Sequence, residues 1–385
     1  MDGIQRQWVK SFDQYHLISI PYASINKDNT NDEIESQKQQ IINELNHLPD
    51  KDIIILLNVE ELAYGEGMIP WCNCLTSYFD NLPSVNYIIL TNNTFEHADN
   101  YSRVLSVNWF LHETVCVYSQ TEVIPWEPTN TDVLFLPGKP WKPSRLPALD
   151  YFLRSRLNSN LKYSSLTFEE MMEWHGEDGL NKIIAGWNLV YNNNNPLVNI
   201  NIIRDIMNKI AKVYDLPWHD DIGFRDFKRL HPKMYSNICV EIISETAHNN
   251  EEFITEKTYK PIVLGYPFVF IHDNFLKTIL GQGFEIFQPQ LSSEFDNQVG
   301  KDGKTTGGRD WEKEFETCIK NTEEVVNNTQ NKLLKEKILG NQQNAMKLHQ
   351  ETINNIAKII PNFNSYAGEI FCSLAGKLQK ETHNA

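Results

Sequence analysis

The chain has 385 residues, more than the ~100–200 of a usual domain, so two domains are expected. Apolar residues make up 41% and charged residues 22%, which excludes wholesale disorder, and 35 Lys plus Arg against 50 Asp plus Glu give a net charge of −15, which excludes a surface built to coat polyanions. No uncharged apolar run reaches about 18 residues, so no membrane span is expected, and Met1 to Asp13 carries no signal-peptide core.

In chain order, the segment from Asp28 to Leu48 is charged and Gln-rich, with Ile34, Ile41, Ile42 and Leu45 at helical spacing. Asp52 to Asn58 (DIIILLN) is a short β-branched run, the pattern of a strand buried on both faces. Val85 to Thr91 repeats it, and Glu113 to Ser119 (ETVCVYS) reads as a weaker third strand. Strand, helix and strand in succession predict a parallel sheet with crossover helices. Pro125 and Pro128 then punctuate a polar stretch over 121–131, read as the link between two α/β domains. The pattern restarts with a strand over Asp132 to Leu136, a loop over Gly138 to Arg145 and a helix from about Leu146 to Leu157. Asn237 to Ile243 and Pro267 to His272 are two further strands, flanking a helix over about Thr255 to Leu264. Residues 311–359 form a long helical tail, expected to break near Gly340 and to stop at Pro361. The expected domains are therefore 1–130, 131–310 and a helical tail over 311–385 packing back on both.

Two stretches carry residues suited to chemistry. A strand ending at Ile243 puts Ser244 to Thr246 at its carboxyl edge, where open parallel sheets bind ligands. Thr255 is a good N-cap for the helix that follows, and the first turn of such a helix offers free N–H groups to an anion such as a diphosphate. Lys257 and Lys260 lie against the helix dipole there, which a bound anion would offset. Glu245 and Glu256 are acceptors suited to ribose or sugar hydroxyls. The second stretch is the Gly138 loop, which gathers Lys139, Lys142 and Arg145 around one phosphate-sized target. Arg154, Arg156 and Lys162 read as a solvated helix face.

Glu245-Thr246 followed by Phe253-Ile-Thr-Glu-Lys257 resembles the nucleotide-sugar motif of the α-1,3-fucosyltransferases. The wider set is Leu136 to Arg145, Ser244 to Thr246, Thr255 to Ile262 and Gly265 to Phe268. It is similar to a family of phage, bacterial and giant-virus glycosyltransferase-like proteins, over about residues 131–290. The resemblance implies a GT-B arrangement, two Rossmann-like domains facing across a cleft, with the nucleotide-sugar donor held by the second. It implies that Glu256 and Lys257 contact the donor's ribose and diphosphate, that Arg145 and Lys139 assist, and that Glu245, Thr246, Phe253 and Thr255 line the donor site. Phe253 stands where the fucosyltransferases carry Tyr, and Thr246 where they carry Asn, so a guanosine-diphosphate sugar is not implied.

An inverting glycosyl transfer needs a carboxylate base to deprotonate the acceptor hydroxyl, and positive charge for the diphosphate leaving group. The base is expected after the strand 52–58, where Glu60 and Glu61 are the chief candidates; Glu66, Glu96 and His97 are comparable. Asp50-Lys51-Asp52 is formally an Asp-x-Asp, but it precedes a strand, and the turn at His219-Asp220-Asp221 reads as solvated; no metal and no cofactor beyond the donor substrate are expected. Gly300 to Thr305 lacks the leading glycine of a P-loop, since Gln298 stands there. The asparagine-rich composition fits an AT-rich phage or viral genome. The acceptor is accordingly left open between hydroxymethylated pyrimidine in DNA, with Arg225, Lys228, Arg229 and Lys233 as backbone contacts, and a glycan or protein hydroxyl. The rival class is a non-catalytic viral structural or interaction protein that keeps a decayed nucleotide-binding domain. The six cysteines are too sparse for a disulfide framework and read as reduced structural thiols in a cytoplasmic protein.

Overall fold

The computed structural model describes residues 8–11, 14–20, 51–57, 65–81, 85–92, 97–118, 124–137, 144–163, 167–191, 200–210, 235–245, 254–272, 275–288 and 311–361, with 36, 39, 42–43, 142, 363–364 and 367 besides. The chain is α/β and divides into two units, Met1–Cys116 with Met346–Ala385, and Val117–Ala345.

The first unit is built on a five-stranded sheet in the order β1-β2-β3-β4-β5. Its strands are β1 (Trp8–Ser11), β2 (Tyr15–Ile20), β3 (Asp52–Leu57), β4 (Tyr87–Asn92) and β5 (Val104–Val107). β1 runs antiparallel to β2 on the edge, and the other pairs are parallel, with Ile53 to Leu56 opposite Tyr87 to Leu90. Alternation along the strands sorts side chains to two faces. Ile18, Ile20, Ile53, Ile55, Leu57, Tyr87, Ile89 and Val104 meet α1 (Gly65–Asp80) through Met68, Trp71, Cys72, Leu75 and Phe79. Tyr15, Leu17, Ile54, Leu56, Ile88, Leu90 and Val107 pack instead against Trp109 and Cys116 of α2 (Trp109–Tyr118), and against Ile353, Ile356, Ile360, Phe363 and Ala367. Each fully buried side chain of this kind contributes about 1.5–3 kcal/mol.

Two expectations change in this unit. Residues 113–119 are not a strand but lie mostly in α2. The alternation of β-branched residues there is overridden because Asn108 Oδ1 accepts from the Leu111 N–H and Thr114 Oγ1 bonds back to Phe110 O, both helical contacts. The third strand is β5, a shorter run. β1 and β2 had no counterpart in the sequence reading. Of the helical segment at 28–48 only Ser36, Gln39, Ile42 and Asn43 are described, all helical.

The second unit carries a wholly parallel four-stranded sheet in the order β7-β6-β8-β9, from β6 (Asp132–Phe135), β7 (Leu161–Tyr163), β8 (Ile238–Ile243) and β9 (Phe268–Phe270). Its helices include α3 (Arg145–Arg154), α4 (Phe168–Val190), α5 (Ile200–Ile210), α6 (Glu256–Leu264), α7 (Leu276–Gly281), α8 (Trp311–Asn327) and α9 (Lys332–Ala357). A capping box starts α4: Thr167 Oγ1 accepts from Glu170 N–H, and Glu170 Oε2 accepts from Thr167 N–H. The stretch 117–131 joins this unit because Trp126 Nε1 donates to Cys239 O, Asn130 Nδ2 to Ile238 O and the Tyr266 hydroxyl to Ile124 O. Phe135, Phe152 and Phe315 stack edge to face under α3 and α8. The helical tail breaks at 328–331 rather than at Gly340, which stays inside α9. Asn331 supplies the reason, its Oδ1 accepting from the Leu333 N–H and capping the new helix. The division between units falls within α9, at 345/346.

Candidate functional site

The strand order of the second sheet reverses between β6 and β8. From β6 the chain crosses to β7 on one side, and from β8 to β9 on the other. Right-handed crossovers then place α3 and α6, the helices that follow these two central strands, on opposite faces. A crevice opens outside the strand ends at such a reversal, which is where open α/β sheets hold ligands. Both helices begin there: Ser144 is the N-cap of α3, and Thr255 that of α6.

Arg145 opens α3 at these strand ends, with no exposed surface. Its Nη2 donates to Ser244 O at 3.0 Å, just past the end of β8, while Nε and Nη1 find no hydrogen-bond partner. The buried Ser244 hydroxyl is also without one. Burial pulls the Arg145 pKa down from 12.5 to about 10, against the pull of the Glu245 and Glu256 charges, so the guanidinium stays charged at neutral pH. A buried cation with two unmet donors beside an unmet hydroxyl is costly, by about 1–3 kcal/mol for each such group. An acceptor-rich group placed here would meet those donors.

Glu245 has a different place. Its Oε1 accepts from Thr255 N–H at 3.1 Å and from Thr258 Oγ1 at 2.5 Å, and its Oε2 from Thr255 Oγ1 at 2.6 Å. With no exposed surface, this carboxylate clamps the end of β8 to the first turn of α6. Thr255 Oγ1 in turn accepts from Lys257 N–H, the cap that the sequence pointed to. Lys257 Nζ bonds Glu256 Oε1 at 2.7 Å and Thr255 Oγ1 at 3.3 Å. The side chains of Lys257 and Glu256 are 24% and 14% exposed, and the Glu256 charge acts on Arg145. Lys260 is turned inward, where its charge lowers the otherwise raised pKa of buried Glu241. The helix holds its line to Gly265, whose left-handed backbone (φ 78°) closes it through N–H bonds to Ile262 O and Pro261 O.

Three residues that sequence reading passed over meet at the same strand ends. His272, just past β9, brings Nε2 within 3.1 Å of Ser144 Oγ and Nδ1 within 2.6 Å of Glu314 Oε2 on α8. Ser144 adjoins Arg145, and His272 follows a strand, so both lay at legible positions; Glu314, in the helical tail, gave no local signal.

The structure thus brings together Arg145, Glu245, Thr255, Glu256 and Lys257. Lys139, Thr246 and Phe253 lie outside the described residues, as do Glu60, Glu61 and Glu96, the segment 211–234 and the Gly-rich stretch 297–309. Arg154, Arg156 and Lys162 pair with Asp150, Glu323 and Asp132. Among the described residues no group of three or more His, Cys, Asp or Glu side chains is placed to hold a metal ion, and no helix is long and apolar enough to cross a membrane. Comparison of the chain with protein-family models, with characterised proteins and with solved structures finds no match.

Proposed function

We propose that this chain is a nucleotide-sugar-dependent glycosyltransferase whose donor diphosphate lodges at the strand ends of β6 and β8. One observation carries the reading. Arg145, the first residue of α3, is buried and charged, with Nε and Nη1 unmet, at the point where the strand order reverses. A diphosphate supplies acceptors for both donors and for the Ser244 hydroxyl, and the two helix N-termini favour its charge. Lys257 would meet the distal phosphate, and Glu256 a ribose hydroxyl. The motif resemblance at Ser244 to Lys257 selects nucleotide sugars among diphosphate ligands. The two-sheet α/β organisation accords with a GT-B arrangement, which is part of the proposal.

In the reaction an acceptor oxygen attacks the anomeric carbon as the bond from that carbon to the diphosphate oxygen breaks, inverting the centre. The acceptor's proton passes to a carboxylate, for which Glu60 or Glu61 after β3 is proposed. The charge left on the diphosphate falls on Arg145, Lys257 and the helix N-termini. The acceptor is proposed to be a hydroxyl of hydroxymethylated pyrimidine in DNA or of a glycan or protein. Titration calorimetry with uridine, guanosine, cytidine and thymidine diphosphate tests the donor site: at least one should bind, and silence from all four would refute the reading.

A further inference from the structure

His272, Ser144 and Glu314 form a buried chain beside the proposed diphosphate, and nothing in the reading above uses them. Ser144 and His272 are at most 1% exposed and Glu314 is 4% exposed. Trp311 of α8 closes over the imidazole edge-on, with ring centroids 5.4 Å apart. Among the described residues, the charged groups about this histidine include Glu314 from α8 and Arg145, which follows Ser144 on α3; Glu245 and Glu256 act on Arg145 in turn. Glu314 keeps a proton on Nδ1, which leaves the state of Nε2 to be set by Ser144 and what lies beyond it.

Two arrangements follow. With Nε2 unprotonated, the ring accepts the Ser144 hydroxyl proton, and Ser144 turns only lone pairs towards the start of α3. With Nε2 protonated, the ring donates to Ser144 Oγ and the hydroxyl proton is free to point elsewhere. Ser144 spends no side-chain bond on capping its own helix. An anion arriving at Arg145, its chain neighbour, is repelled by the first arrangement and held by the second. The anion's own charge also favours the imidazolium.

We propose that His272 is a positioning residue of the anion site: it takes up a proton when a diphosphate binds and thereby turns Ser144 into a further donor to that ligand. The inference rests on the diphosphate reading above. The test is calorimetry at about pH 7.5 in buffers of differing ionisation heat, using uridine, guanosine, cytidine and thymidine diphosphate as probes. The native chain should take up about half to one proton more per bound nucleotide than His272→Gln, and the variant should bind about tenfold more weakly. A merely structural histidine would leave the proton count unchanged. Ser144→Ala, which removes one buried hydroxyl and little volume, is the second variant should His272→Gln not fold; it should bind more weakly and take up fewer protons than the native chain. Equal uptake in the native chain and a folded variant, with binding retained, overturns the proposal and leaves the site standing. Absence of binding by the native chain to all four probes removes both.

Discussion

Arg145 is the residue at which a structural and a functional account make opposite forecasts. A buried ion held by good partners is strongly destabilising to remove, whereas one with unmet donors can be exchanged for an apolar side chain at little cost. Arg145 has one hydrogen bond and two unmet nitrogens. Arg145→Met should therefore leave the thermal midpoint within a few degrees, or raise it, while abolishing nucleotide binding; a large drop in stability would mark Arg145 as a structural ion instead. Lys257→Ala should weaken nucleotide binding by about tenfold with the fold intact by circular dichroism. Two other buried groups make stability depend on pH in opposite directions. His349 has its pKa lowered from 6.5 to about 4 by burial, and its Nδ1 lies 3.0 Å from that of His112, which burial lowers further. The unfolded chain takes up these protons first, so the first unit loses stability as pH falls from 6.5 towards 4, with a slope of about 1.4 kcal/mol per pH unit per proton. Glu241, raised from 4.5 to about 7 by burial despite its bond from the Tyr235 hydroxyl, works the other way. Its contribution is full below 4.5 and is lost as pH rises through 7. Thermal melts across that range should show His349→Gln flattening the acid loss and Glu241→Gln flattening the opposite slope. At this scale the sequence was legible where local chemistry speaks: Thr255 as a cap, Arg145 and Lys257 as cations at strand and helix ends. It was mute on Glu314, because a carboxylate on a distant helix reaches His272 only through the fold. It also left open that Glu245 is spent on Thr255 and Thr258, since both roles need the same acid after the same strand.

Among elements, α6 is the one on which the candidate site depends, and its two ends are held by unlike devices. The Glu245 clamp fixes its start, and Gly265 its end. A Cβ at Gly265 would stand 2.5 Å from Gln342 Nε2, which donates to Val263 O, and the backbone there has φ 78°. Gly265→Ala should thus cost about 1–3 kcal/mol in urea unfolding, more than the few tenths usual for a surface change. Glu245→Gln turns an amide donor towards groups that themselves donate, and should lower stability by a similar amount while loosening nucleotide binding, since α6 loses its seat. The strands β3, β4, β6 and β8 were readable because each is a dense apolar run bounded by turn residues, and burial on both faces leaves such runs few alternatives. α2 misled because Val115 and Val117 alternate with smaller residues as they would on a half-buried strand. Its helical state is decided by Asn108 and by what Trp109 and Cys116 pack against. β7 has three residues and β5 four, too short for any period to show.

At the scale of the molecule, the two sheets differ in a way that strand counts conceal. The second reverses its order, the arrangement at which open α/β sheets hold ligands; the parallel strands of the first run β2-β3-β4-β5 without reversal. An unreversed order with right-handed crossovers puts the connecting segments on one face, here that of α1 and the turn at Ala98. The opposite face is covered by Trp109 and Cys116 of α2 and, from far along the chain, by Ile353, Ile356, Ile360, Phe363 and Ala367. That sharing was not legible, because amphipathic spacing in a tail says that it packs and not on what. Removing residues 346–385 should bare Leu17, Ile54, Leu56, Ile88 and Leu90, raise binding of a hydrophobic dye and abolish cooperative melting of the first unit, while the second keeps its own transition. The same arrangement imposes a schedule on biosynthesis. Leu90 and Ile353 are separated by about 260 residues, which a ribosome adds in roughly 13–50 s at about 5–20 residues per second. Throughout that interval the oily side of the nascent sheet has the cover of Trp109 and Cys116 but lacks that of Ile353, Ile356, Ile360, Phe363 and Ala367, an open invitation to chaperones and to neighbouring nascent chains. The first unit is therefore begun before the second and completed after it, and its yield in a cell should depend on chaperone supply more steeply than that of the second.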